Sequence, residues 1–130
     1  MKEPKNSLYP EDWKKKARRD WERVKRNLRD QDAEAAGYFL QQALEKYLKA
    51  YLLQHGWRLK KIHTLHTLLE DAIGYDKVLE SFYDLCERVS GYYFTERYPS
   101  LIEEELTTED IEKDLIEAED LIEVLHGEDK

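Results

Sequence analysis

The sequence predicts an all-α fold, an up-and-down antiparallel bundle of five helices, on three observations. Apolar residues recur at helical spacing along the whole chain and nowhere alternate as they would in a strand. Only five glycines and three prolines interrupt 130 residues. Hydrophobic residues make up 41% and charged residues 38%, enough apolar material for a core inside a heavily charged surface. The length suits a single domain over residues 1–130, since a chain of this size buries one core but not two.

Pro10 is suited to a first helical turn, and Trp13, Ala17, Trp21, Val24 and Leu28 form one stripe behind it. Asp32 is placed to cap a second helix, with Ala36, Phe39, Leu40, Ala43, Leu44, Tyr47, Leu48, Tyr51 and Leu52 inward and Gly56 as its stop. Its apolar arc covers more than half the circumference, which places this helix at the centre of the bundle. A narrow polar strip of Gln42, Glu45, Lys46 and Lys49 is left over. Thr64 is expected to cap a short third helix bearing Leu65, Leu68, Leu69 and Ala72, ended by Gly74. A fourth runs from about Asp76 to Tyr92 with Val78, Leu79, Phe82, Leu85, Cys86 and Val89 inward. Residues 91–106 read as the least regular stretch. Thr107 with Asp110, or Thr108, then opens a fifth helix with Ile111, Leu115, Ala118, Leu121, Ile122 and Leu125 inward.

Several function classes recede on composition. Apolar runs fall far short of the roughly 20 residues that cross a bilayer, and no signal-like segment follows the first residues, so a cytoplasmic protein without membrane attachment is expected. One cysteine, Cys86, forms no internal disulfide and reads as a small core residue. His55, His66 and His126 lack the thiol or carboxylate pattern of a metal site, and neither a glycine-rich phosphate loop nor a nucleophile elbow is present, so no cofactor, metal or catalytic residue is assigned. The net charge of −8 hides a division. Residues 1–29 hold eleven Lys or Arg against five Asp or Glu, whereas residues 63–130 hold five against twenty. A basic first helix is either a footprint for nucleic acid, a face that meets the acidic end of the same chain, or one that meets a second copy.

The segment Tyr38-Phe39-Leu40-Gln41-Gln42-Ala43-Leu44-Glu45-Lys46-Tyr47-Leu48-Lys49-Ala50-Tyr51-Leu52 resembles the second-helix signature of HEPN domains. Ile62-His63-Thr64-Leu65 is similar to that family's Thr-His-Asp-Leu element, with Ile62 and Thr64 departing from it, and Arg97-Tyr98-Pro99 resembles the Arg-Tyr-Pro ending of its non-nuclease branch. These elements span residues 38–99. The resemblance implies a helical bundle that commonly dimerises, is often encoded beside a minimal nucleotidyltransferase in a two-component, toxin-antitoxin-like pair, and binds a nucleotide or substrate. The ribonuclease branch carries an Arg followed four to six residues later by a His; neither Arg88 nor Arg97 is so followed. Arg58 and His63 have that spacing, but in the link after the second helix.

Two groups of candidate binding residues emerge. Pro99 disfavours helix at Tyr98, which would leave Arg97, Tyr98 and Tyr93 at a corner between two helices, where a guanidinium fork suits phosphate and flat rings suit a base. Arg97 pairing with Glu103, Glu104 or Glu105 is the structural alternative. Gln42, Lys46 and Lys49 share a helix face that suits a phosphate or a partner groove, although Glu45 is spaced to pair with Lys49. His63 either titrates at such a site or serves a helix cap. The leading expectation is a nucleotide- or partner-binding module, a homodimer that works with a minimal nucleotidyltransferase. The alternatives are a metal-independent ribonuclease using Arg58 or Arg97 with His63, and RNA or other nucleic-acid binding through the first helix.

Overall fold

The computed structural model describes residues 7–97 and 106–127, the side chains of 93–97 excepted. Among these residues the regular structure is helical throughout: α1 (Pro10–Arg29), α2 (Ala33–Gln54), α3 (Leu65–Ile73), a 3-10 segment (Lys77–Phe82), α4 (Tyr83–Arg97) and α5 (Thr108–His126). The five expected helices are present, and no strand occurs among the described residues.

Pro10 opens α1 as anticipated, and the turn before it is tied down by Ser7. The Ser7 hydroxyl donates to Asp12 at 2.6 Å, while its carbonyl accepts from the Trp13 indole at 2.9 Å. Trp13, Ala17, Trp21 and Val24 are buried against α2. The Asp32 carboxylate accepts from the Ala35 amide at 3.1 Å and so caps α2. At the far end Gly56 takes a φ of +82°, a left-handed conformation that side chains disfavour, which lets the chain leave α2. Trp57 then folds back: its amide donates to the Leu52 carbonyl at 3.0 Å and its indole to Asp71 at 2.9 Å.

Helix α2 packs against α1, α3, α4 and α5, which makes it the centre of the bundle. Contacts between Lys49 and Trp13, Lys46 and Asp20, and Phe39 and Arg23 climb one helix as they descend the other, so α1 and α2 are antiparallel. Gly37 meets Ile111 while Tyr47 meets His126, so α5 runs parallel to α2. Leu40, Leu44, Tyr47 and Leu48 of α2 are fully buried, joined by Leu65, Leu68, Leu79, Leu85, Ile111 and Leu121. Each large apolar side chain removed from water in this way contributes about 1.5–3 kcal/mol.

Three local expectations change. The segment from Asp76 begins as a 3-10 turn, with the Asp76 carboxylate accepting from Val78, and becomes α-helical only at Tyr83. Three residues per turn shifts the facing of side chains, so Val78, expected inward, is 61% exposed, whereas Leu79 and Phe82 are buried. At its other end α4 passes Tyr92 and continues to Arg97, because the restriction imposed by Pro99 acts on the single residue before it. Thr64 occupies the cap position of α3 without a side-chain bond; the Leu65 amide donates instead to the Ser90 hydroxyl of α4 at 2.8 Å. The Thr107 and Asp110 capping box of α5 forms as expected.

Candidate functional site

Gln42, Lys46 and Lys49 do share a face of α2, and α1 covers most of it. Lys46 is 7% exposed and Lys49 3%. The Lys46 ammonium lies 2.6 Å from Asp20 of α1 and 3.3 Å from Gln42, and Asp20 also holds Arg23 at 2.7 Å. Gln42 donates to the Gln41 side chain at 2.6 Å, and Gln41 in turn donates to Glu45 at 3.3 Å and to the His63 carbonyl at 2.8 Å. Glu45 receives Lys49 at 2.9 Å and His63 Nδ1 at 3.0 Å. The Lys49 ammonium also stands 5.3 Å from the centre of the Trp13 ring.

The result is one continuous polar seam in which four sequence-identified residues, Gln42, Lys46, Lys49 and His63, are brought together. Its chemistry is largely internal. Both ammonium groups already have carboxylate partners, so a phosphate seeking Lys46 would compete with buried Asp20. The pairing of Glu45 with Lys49 anticipated from their spacing is formed. His63 is the accessible member, with Nδ1 beside the Glu45 carboxylate and the rest of the ring exposed. Arg58 is exposed in the link, and among the described residues His63 bonds to Gln41 and Glu45 rather than to Arg58.

Helices α4 and α5 line a second polar site, an open groove with a volume of about 460 Å³ bordered by Arg88, Tyr92, Asp110, Lys113, Asp114 and Glu117. Buried Asp114 organises it. One carboxylate oxygen accepts from Arg88 Nε at 3.1 Å and Nη2 at 2.9 Å, and the other accepts a hydrogen bond from the Tyr92 hydroxyl. Arg88 Nη2 also reaches Glu117 at 3.3 Å. The hydrogen bond to Asp114 raises the Arg88 pKa further, so its charge is permanent. Burial, and then the same carboxylate, raises the Tyr92 phenol above its ordinary value, so Tyr92 stays a donor. Among the described residues, Arg88 Nη1 and the exposed Lys113 ammonium have no acceptor, so two residues that line the groove keep cationic donors unused.

This groove was not among the sequence-identified sites. Asp114 gave the available signal: it lies three residues after Ile111 and four before Ala118, an acid at an inward position of α5. Asp20 stands in the same relation to Ala17 and Val24 in α1. The corner expected at Arg97, Tyr98 and Tyr93 falls largely outside the described residues. Arg97 ends α4, but the side chains of Tyr93 and Arg97, and Tyr98 with Glu103, Glu104 and Glu105, lie outside the described residues. Among the described residues no three His, Cys, Asp or Glu side chains gather to hold a metal ion, and no helix is long and apolar enough to cross a membrane.

A family model for the HEPN domain matches residues 10–128, from the first turn of α1 to just past α5. The chain belongs to the HEPN domain family. The second-helix segment and the His63 element that carried the resemblance thus lie inside a match covering nearly the whole chain. No curated protein and no solved structure matches this HEPN domain.

Proposed function

We propose that this HEPN domain is a binding module for a nucleotide, or for the nucleotide-bearing face of a partner, and that it receives the phosphate between α4 and α5. The observation that carries the reading is Arg88: its guanidinium is held by buried Asp114 beside the 460 Å³ groove, which Lys113 also lines. Asp114 fixes one edge of the fork, so less side-chain freedom is lost when an anion binds the other. The surrounding Asp110 and Glu117 disfavour a bare anion and fit a ligand that brings a cation, as magnesium-bound nucleotides do. Arg97, Tyr98 and Tyr93 extend this proposal toward the end of α4, where they would meet the base or a partner loop. A homodimer working with a minimal nucleotidyltransferase, in a toxin-antitoxin-like pair, completes the reading.

Calorimetric titration of ATP with magnesium into wild type, Arg88→Ala and Arg97→Ala provides the test. A charge-assisted hydrogen bond contributes about 1.5–3 kcal/mol, so Arg88→Ala is expected to weaken binding by about tenfold or more. Equal affinity of wild type and Arg88→Ala, or no binding by wild type, refutes the α4–α5 site. Co-purification with the nucleotidyltransferase and light scattering examine the partner and the dimer separately.

A further inference from the structure

The outer face of α1 is not used by either polar site, and it is a ridge of unpaired cations. Lys15, Arg19, Arg26 and Arg29 are all exposed, and no described residue forms an ion pair with any of them. At 100° per residue the four fall within about 80° of the helix circumference, and at 1.5 Å per residue they extend over about 21 Å. The intervening acid, Glu22, is engaged by Lys25 at 3.5 Å. The expectation that this basic segment lies against the chain's own acidic end is not met on this ridge: α1 turns its apolar stripe and Asp20 inward to α2 and leaves these four cations in solvent.

We propose that this ridge binds the phosphodiester backbone of a nucleic acid, independently of base sequence. Three features select that occupant. Three of the four cations are arginines, whose planar forks match phosphate. Their spacing, two near one end of the ridge and two about 10–16 Å further on, suits phosphates on either side of a groove. The ridge also has no exposed apolar residue, whereas a protein interface is built around an apolar centre. The last feature argues against a second copy's α5 as the occupant, since that acidic helix exposes Ile116 and Val124, which would face only charge here. In a chain of net charge −8, a cationic strip confined to one helix also orients the molecule, presenting α1 to a polyanion and turning the acidic helices away.

The site goes beyond the α4–α5 reading and is separable from it. Fluorescence anisotropy with labelled 20-base-pair RNA and DNA duplexes of mixed sequence, from 50 to 300 mM salt, measures it directly in the full chain. Engaging four phosphates predicts a log–log salt slope of about −3 to −4 for wild type. The combined variant Lys15→Gln, Arg19→Gln, Arg26→Gln, Arg29→Gln is expected to lose at least tenfold in affinity at 50 mM salt and most of that slope. It should keep its ATP titration and its circular dichroism spectrum, while Arg88→Ala keeps duplex binding. Preference for one duplex identifies the nucleic acid, and comparable binding to both supports backbone recognition. Absence of binding to either duplex at 50 mM salt overturns the proposal, as does a combined variant that binds like wild type. Self-association that the variant abolishes, without duplex binding, overturns it in favour of a contact with another copy's acidic helix.

Discussion

Asp20 illustrates how much depends on one side chain in a small bundle. It is almost wholly buried and neutralises both Lys46 and Arg23. Removing it strands the Lys46 ammonium under α1, and an unpaired buried charge costs about 3–5 kcal/mol, far more than a surface pair contributes. Asp20→Ala is therefore expected to lower stability by about 3 kcal/mol in urea denaturation. Replacing both partners, Asp20→Leu with Lys46→Met, should recover most of that loss, because the polar requirement disappears along with the charges. A double variant no more stable than Asp20→Ala would contradict this account of the seam. The sequence revealed the polar face of α2 and the pairing of Glu45 with Lys49, since both follow from spacing within one helix. That Lys46 is buried was not legible, because its partner is 26 residues away on another helix. An acid among the apolar positions of α1 was the one clue, and the same clue marks Asp114 beside Arg88.

At the scale of elements, local chemistry specified the helix ends well. Asp32, Gly56 and the Thr107–Asp110 pair perform the roles their residue types suggest, since caps depend on neighbours within four residues. Tertiary contacts decided the exceptions, such as α3, whose first amide finds Ser90 rather than Thr64. The 3-10 start before α4 had no distinct pattern, since Val78, Leu79 and Phe82 are spaced as an α-helical stripe would be. Gly37 has the larger consequence. A Cβ there would stand 3.1 Å from Ile111 and Leu106 side-chain carbons and 3.3 Å from Tyr92 Cβ, so the missing side chain lets α2, α4 and α5 converge. The methyl ends of Ile111 and Leu106 can yield, but Tyr92 is anchored by Asp114 and cannot move without disturbing the groove. Gly37→Val is expected to destabilise the fold by about 2 kcal/mol despite removing a helical glycine. Urea denaturation checks the loss, and an equally stable variant would show that the helices have room to separate.

Across the whole molecule, one continuous apolar core holds groups that ionise only in alkali, and this couples global stability to high pH. Burial pushes the Cys86 thiol from its ordinary 9.0 up to about 12, and Glu117 adds to the rise. The Tyr92 phenol is raised as well, first by burial and then by Asp114. In both cases the fold retains the proton more tightly than the unfolded chain does. The associated stability is complete below the ordinary pKa and is lost as pH climbs toward the folded one. For Cys86 the loss starts near pH 9, and a single such group gives a slope approaching 1.4 kcal/mol per pH unit. Tyr92 joins it nearer pH 10, the ordinary value of a phenol. Urea midpoints of wild type are therefore expected to hold from pH 7 to 8.5 and then fall. Cys86→Ala separates the two contributions. Its starting stability is lower, because a buried side chain is truncated, but between pH 9 and 10 its midpoint should decline less steeply than that of wild type. Parallel profiles over that interval would mean that the thiol ionises as readily in the fold as outside it.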